Sequence, residues 1–421
     1  MENFCTHILL WKKNFTMKSI AHENVIFFPF RNQYCAFSPS NAQIMSVPDI
    51  SKSTVEKAVQ LLKPSLPEVP TKFRALTLFL TTNCNMRCLY CYGRGGDRNV
   101  TLDWKTIRIY LDFYLSTKPK YPTISFHGGG EPSLEIDLIR RTVAYVIKRG
   151  IPIEYGTFAI GTNGVMDPEF LSYLIENKFA FSISYDGLPE IQQHQRPIVK
   201  EIDGFTSTEE TINQIANSDN PYCISCTVTN YSVNKMSNIV RYIKKIGGSN
   251  LWFHTAFPAG RCKLNDKMLP VYDLFFQNMR KAEQIALEEN IKLGRSDPFC
   301  SFTIKCAMST LATIAVSSDG YITGCIEVCT KNDEFAETFI LGGISNGKVQ
   351  IYEEKVRIFR ERSSEVIRPC KSCYIRPICA GSCPIHCLRV NGDINTQDGY
   401  WCRYKRKETL YMLQKIAEAS L

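Results

Sequence analysis

Apolar and polar positions divide the chain into three textures. Within residues 1–70, two short apolar runs, "NVIFFPF" and "YCAFS", precede "SKSTVEKAVQLLK". The runs predict a strand pair, and the last segment predicts a helix opened by a capping box from Ser53 to Glu56. The prolines of "PSLPEVP" then forbid a helix and mark a boundary. From residue 75 buried-looking runs alternate with helical patterns: "ALTLFLTT", "TISFHGGGEP", "IEYGTFAIGTNG", "FAFSISYDG", "YCISCTVTN" and "NLWFHTAFP" as strands, with helices near 101–117, 134–149, 167–177, 207–217 and 231–245 between them. Six such strands predict a parallel βαβ array, open or closed into a partial (β/α)6 barrel, that receives ligands where its strands end. "TTNC", "HGGGEP", "GTNG", "SYDG" and "HTAFP" all fall at those ends, so one mouth should collect them. A helix near 269–290 leads to a cysteine-rich tail with a hairpin signal, "AVSSDGYITGC", turning at Asp319-Gly320. The expected divisions are an N-terminal unit 1–70, an α/β core 71–268, a connecting helix 269–294 and a cysteine-rich domain 295–421.

A chain of 421 residues that is 44% hydrophobic can bury a large core in more than one domain. "HILLW" near the start runs into Lys12 and Lys13 without a small-residue cleavage site, and no apolar run approaches the roughly 18 residues of a membrane span. The expectation is a cytoplasmic protein with no membrane partner, read from Met1 or from Met17. Basic residues are scattered, and the densest run, "RYKRK" at 403–407, reads as a solvated face, so no nucleic-acid partner is expected. Eighteen cysteines change the picture more. A reducing compartment and a long chain argue against a disulfide framework and in favour of metal ligation.

Cys84, Cys88 and Cys91 form CxxxCxxC in the loop after the first strand of the array. Three thiolates leave a four-coordinate metal one ligand short, which is what a reactive centre needs. In "HGGGEP", Gly129 and Gly130 let backbone approach a ligand, and the Glu131 carboxylate can accept from an ammonium group. Near the C-terminus Cys370, Cys373, Cys379 and Cys383 give CxxCx5CxxxC. A zinc ribbon would explain those four but not Cys300, Cys306 and Cys325 upstream or Cys402 downstream.

The stretch from about 75 to 260 resembles the radical S-adenosylmethionine family: a CxxxCxxC loop after the first strand, with aromatic Tyr90 before its last cysteine, then GGE after the second strand. The resemblance implies a partial (β/α)6 barrel in which Cys84, Cys88 and Cys91 hold a [4Fe-4S] cluster. S-adenosylmethionine would complete that cluster and be cleaved by one electron to a 5′-deoxyadenosyl radical. Tyr90, Gly129, Gly130, Glu131, Ser184 and Arg196 are its implied contacts, Ser184 on the ribose and Arg196 on the methionine carboxylate as a fork. His254 either lines the substrate cavity or is a satisfied core histidine.

The tail resembles the SPASM domain, which carries two further [4Fe-4S] clusters. Cys300, Cys306, Cys325 and Cys383 are the implied ligands of one, and Cys370, Cys373, Cys379 and Cys402 of the other, with Cys329 and Cys387 close enough in sequence to replace an assigned ligand. Eleven thiolates on three clusters lower the formal charge from +9 to about +4. Relatives include peptide maturases and anaerobic sulfatase-maturating enzymes. The latter place an aspartate base after the third upstream cysteine, whereas Ile326 follows Cys325 here and Glu327 is the nearest carboxylate. The reading is therefore an enzyme that modifies a ribosomally made peptide, with Glu327 as substrate-side base and residues 1–70 as a strand/helix unit for binding a leader peptide. Formylglycine formation in a protein substrate is the alternative, and a non-catalytic electron-transfer or sensor protein the second. The expected partners are the peptide or protein substrate and a reductant such as flavodoxin or ferredoxin.

Overall fold

The computed structural model describes residues 18–65, 73–199, 204–264, 266–295, 306–379 and 381–421, grouped into two compact units. The smaller contains residues 18–65 and 362–421. It opens with an antiparallel meander of β1 (Ile20–His22), β2 (Val25–Phe30), β3 (Gln33–Ser38) and β4 (Gln43–Val47), then α1 (Lys52–Leu62). Alternation sends Val25, Phe27 and Ala36 to one face, against Val55, Ala58, Val59 and Leu62 of α1. Ile26, Phe28, Cys35 and Phe37 take the other face, against Ile375, Ile378, Leu413 and Ala417. Four strands stand where the pattern predicts two, because β1 is only three residues long and β4 lacks apolar alternation. The expected capping box is also displaced. The helix starts at Lys52 with Ser51 as its N-cap, which puts Ser53 inside the first turn.

The larger unit bears out the α/β array. β5 (Ala75–Leu78), β6 (Ile124–Phe126), β7 (Phe158–Thr162), β8 (Ala180–Ser184), β9 (Tyr222–Val228) and β10 (Asn250–Thr255) lie side by side, parallel and in chain order. The crossovers carry α2 (Trp104–Ser116), α3 (Ile136–Lys148), α4 (Pro168–Glu176), α5 (Pro189–Gln195), α6 (Gly204–Ala216) and α7 (Met236–Lys245). Asp103 and Asp167 cap α2 and α4 by accepting from Thr106 N and Phe170 N. α5 has only seven residues, too few for a periodic signal, and was not expected.

After α8 (Tyr272–Glu288), β11 (Lys292–Arg295) joins β10 in parallel. On the opposite side β12 (Thr313–Val316) joins β5 in parallel, registering Thr313 with Ala75 and Val316 with Leu78. β13 (Ile322–Thr323), β14 (Ile340–Ser345) and β15 (Lys348–Ile351) continue antiparallel to an eleven-stranded sheet. The expected Asp319-Gly320 turn joins β12 to β13, with Gly320 at φ +87°. Residues 306–361 thus pack with the core, while 362–421, with α11 (Pro384–Asn391) and α12 (Gly399–Ser420), pack with the N-terminal sheet. α9 (Ala336–Phe339) and α10 (Glu353–Glu361) complete the larger unit. Among the described residues no helix is long and apolar enough to cross a membrane.

Candidate active site

The β5–α2 loop has little regular structure of its own, so side chains must satisfy its backbone. Arg87 donates to Cys84 O at 2.7 Å and to Gly96 O at 2.8 Å. Arg261, from "FPAGR", donates to Cys88 O at 3.1 Å and Gly95 O at 2.6 Å. Arg98 bridges to Thr330 and Asp333 beyond β13. Held this way, each of the three cysteine sulfurs has an N–H partner: Met86 N at 3.4 Å from Cys84 Sγ, Arg196 Nη1 at 3.8 Å from Cys88 Sγ and Gly95 N at 3.3 Å from Cys91 Sγ. Burial pushes the Cys84 thiol up to about 12 and Cys88 up to about 11, so a metal must supply the positive charge that makes them thiolates.

The glycine run after β6 lies directly on this loop. Gly130 N donates to Thr81 O and Glu131 N to Asn83 O, both at 2.7 Å. A Cβ on Gly130 would stand 1.9 Å from Asn83 O, so only glycine allows the two backbones to meet. The Glu131 carboxylate is buried and takes three donors, Ser133 N at 3.1 Å, Thr162 Oγ1 at 2.7 Å and Asn163 N at 2.7 Å. It therefore fastens the β6 loop to the end of β7, and burial raises its pKa despite those bonds.

Asp186, in "SYDG", is the residue that sequence reading missed. Fully buried, it accepts from Tyr90 Oη, Gln195 Nε2 at 2.6 Å, Thr227 N at 2.9 Å and Arg196 Nη2 at 3.1 Å. The signal existed, since a carboxylate directly after a buried strand must find donors, but Asp-Gly reads first as a turn. The hub gathers residues distant in sequence: Tyr90 from the cysteine loop and Arg196 from the end of α5, whose guanidinium also lies 5.2 Å from the Tyr90 ring centroid. Ser184 ends β8, half-buried, two residues before it. The expected Arg196 fork is not available, because Nη2 is committed to Asp186 and Nη1 faces Cys88, leaving buried Nε without a partner. Burial, then the Arg196 charge, lowers His254 to about 4, so this imidazole is neutral at ordinary pH.

A second pair also escaped the sequence reading. Tyr92 Oη lies 3.3 Å from His127 Nε2, and its ring stacks on Phe257 at 6.3 Å. Burial raises the Tyr92 phenol, and the charges of Cys329, Cys91, Cys325 and Glu327 push the same way, which places Glu327 within electrostatic reach of the cysteine loop. Cys329 is buried between Gly93 and Gly129 and donates to Ile326 O at 3.4 Å.

In the smaller unit Cys370, Cys373, Cys379 and Cys402 line one cavity. Ser382 N approaches Cys379 Sγ at 3.4 Å and Gln397 Nε2 approaches Cys370 Sγ at 3.7 Å. Cys387 is buried, donates to Thr396 O at 3.2 Å and does not line the cavity. Cys383 occupies the N-cap position of α11 in this unit, whereas Cys306 and Cys325 belong to the larger one, and Cys300 lies outside the described residues. Among the described residues no three His, Cys, Asp or Glu side chains converge tightly enough for a single metal ion.

Residues 78–256 match the Radical SAM superfamily. The chain carries a radical SAM domain. A cysteine-type anaerobic sulfatase-maturating enzyme of Clostridium perfringens is 24% identical over 369 residues, spanning 80% of this chain and 95% of that one. Among solved structures, anSMEcpe with bound AdoMet superposes with a TM-score of 0.65 at 19% identity, covering 82% of this chain and 94% of that one. SuiB of Streptococcus suis bound to precursor peptide SuiA gives 0.56 at 13% identity, covering 91% and 100%. A radical SAM domain implies a [4Fe-4S] cluster and S-adenosylmethionine. The residues present fit both: three soft sulfur donors that each face an N–H, beside a glycine run whose backbone meets the same loop.

Proposed function

We propose that this radical SAM enzyme modifies a side chain or the backbone of a ribosomally made peptide. The observation that carries the reading is the reach of the fold likeness. The fold of SuiB, solved with its precursor peptide, covers 91% of this chain against 82% for anSMEcpe. The greater coverage suits a chain whose first 70 residues include a folded sheet with short edge strands, material on which an extended peptide can add a strand. Formylglycine formation is the second reading, favoured by the sequence relative that spans 80% of the chain.

In this reading Cys84, Cys88 and Cys91 hold the cluster. The backbone of Gly129 and Gly130, with the acceptor capacity left on Glu131, receives the methionine ammonium. Arg196 Nε would offer one N–H to the carboxylate and Ser184 would contact the ribose, while the Tyr90 ring lies 5.2 Å from the Arg196 guanidinium. When bound, the cluster and S-adenosylmethionine supply a radical that abstracts a hydrogen atom. The chain's own task is to orient the ligand and keep water out. Cys370, Cys373, Cys379 and Cys402 hold a second cluster, and Cys300, Cys306, Cys325 and Cys383 a third.

Anaerobic reconstitution with dithionite and S-adenosylmethionine tests the reading. The expected result is 5′-deoxyadenosine and about 12 irons per chain, with a mass change on a small peptide encoded beside the protein and co-expressed with it. Absence of 5′-deoxyadenosine at full iron loading would leave only the non-catalytic electron carrier. Glu327 takes a proton from the substrate in this scheme. Glu327→Gln should keep iron and 5′-deoxyadenosine formation while slowing product formation by about 10²–10⁴-fold; unchanged turnover would remove that role.

A further inference from the structure

We infer that the rim of the Cys370/Cys373/Cys379/Cys402 cavity is the docking surface for an acidic one-electron carrier protein of the flavodoxin class. The inference rests on the proposed reading, which needs an electron for each cleavage, and adds where the carrier binds.

Positive charge is enriched in the C-terminal segment of the smaller unit. Residues 362–421 hold ten Lys and Arg against five Asp and Glu, whereas the whole chain holds 50 against 41. Seven of those ten flank the cavity's cysteines in sequence: Arg368, Lys371 and Arg376 around Cys370 and Cys373, and Arg403, Lys405, Arg406 and Lys407 after Cys402. Arg376, Lys405 and Arg406 line the cavity itself.

Compensation of thiolate charge explains only part of this set. Arg406 is hydrogen-bonded to Cys373, and Lys405 pairs with Glu408 at 2.7 Å. Arg368, Lys371 and Arg403 are exposed and make no ion pair among the described residues. Their charge is available to a partner. The cavity is also shallow enough for electron exchange: Cys373, Cys379 and Cys402 are half-buried, and only Cys370 is buried. A redox group held there would sit just beneath a positive surface. Such a surface attracts a negatively charged carrier, raises its association rate and makes binding sensitive to salt.

The test titrates the reconstituted chain with a recombinant acidic flavodoxin at low and high salt, reading the dissociation constant from flavin fluorescence. Wild type should bind, and binding should weaken steeply with added salt. Lys371→Glu/Arg403→Glu should bind at least about tenfold more weakly and lose most of the salt dependence, with iron content and dithionite-driven 5′-deoxyadenosine formation unchanged. Equal binding by the variant, or no binding by wild type, overturns the docking surface. Tighter salt-dependent binding of a duplex RNA that displaces flavodoxin also overturns it, in favour of a nucleic-acid face. Failure of the wild type to cleave S-adenosylmethionine with dithionite counts against the enzyme reading instead, since dithionite bypasses any docked carrier.

Discussion

Asp186→Ala is expected to cost about 3–5 kcal/mol of stability, because it strips the partner from a buried cation. Arg196 is 7% exposed, and its remaining described acceptor is the Cys88 sulfur at 3.8 Å. Burial works against the guanidinium charge; Asp186, then Tyr90 and Cys88, outweigh it and hold the pKa above its ordinary value. Removing the carboxylate also takes the acceptor from Thr227 N and Tyr90 Oη and leaves Gln195 Nε2 with Thr227 O at 3.2 Å. The converse substitution is milder. Arg196→Met leaves Asp186 with those three donors, so it should cost less than Asp186→Ala. The double variant Asp186→Ala/Arg196→Met should recover more than half of the single loss, since no unpaired charge remains. Anaerobic urea unfolding of the four chains measures this. Equal midpoints for Asp186→Ala and Arg196→Met would show that the hub is not organised around the charge pair.

The same hub shows what the sequence could and could not disclose. Alternation of apolar runs with helical periods located all six central strands, because buried parallel strands leave a nearly continuous apolar signature. Cys84, Cys88, Cys91 and the glycine run were legible because their spacing is local and their chemistry unusual. Asp186, Tyr92 and His127 were not, because each acquires meaning only from a residue on another strand's loop. Tyr92 is an ordinary aromatic until β6 delivers His127 to 3.3 Å from its hydroxyl. The parallel pairing of β12 with β5 was hidden for a similar reason: 238 positions separate partners such as Ala75 and Thr313 that only the folded sheet brings into register. Arg196 stands out in the sequence as a possible fork, but a sequence cannot show that Nη2 already meets Asp186 and Nη1 already faces Cys88.

Cys88→Ala is expected to abolish 5′-deoxyadenosine formation and to lower iron by about four per chain, leaving the rest in place. The argument is geometric. Cys88 is the sulfur that faces the Arg196 guanidinium and so links the cysteine loop to the Asp186 hub, while Cys84 and Cys91 face only backbone N–H groups of their own loop. Two thiols cannot hold a cluster that must also leave one iron open to ligand. Cys329 is the natural candidate for rescue, being buried beside Gly93 and within electrostatic reach of Cys91. Its sulfur already donates to Ile326 O at 3.4 Å, however. Cys329→Ala should therefore retain both iron and cleavage, and Cys88→Ala/Cys329→Ala should match Cys88→Ala alone. Iron analysis and the 5′-deoxyadenosine assay on these three variants decide it. Loss of four irons in Cys329→Ala would make Cys329 a ligand, and retained cleavage in Cys88→Ala would remove the three-cysteine loop from the chemistry.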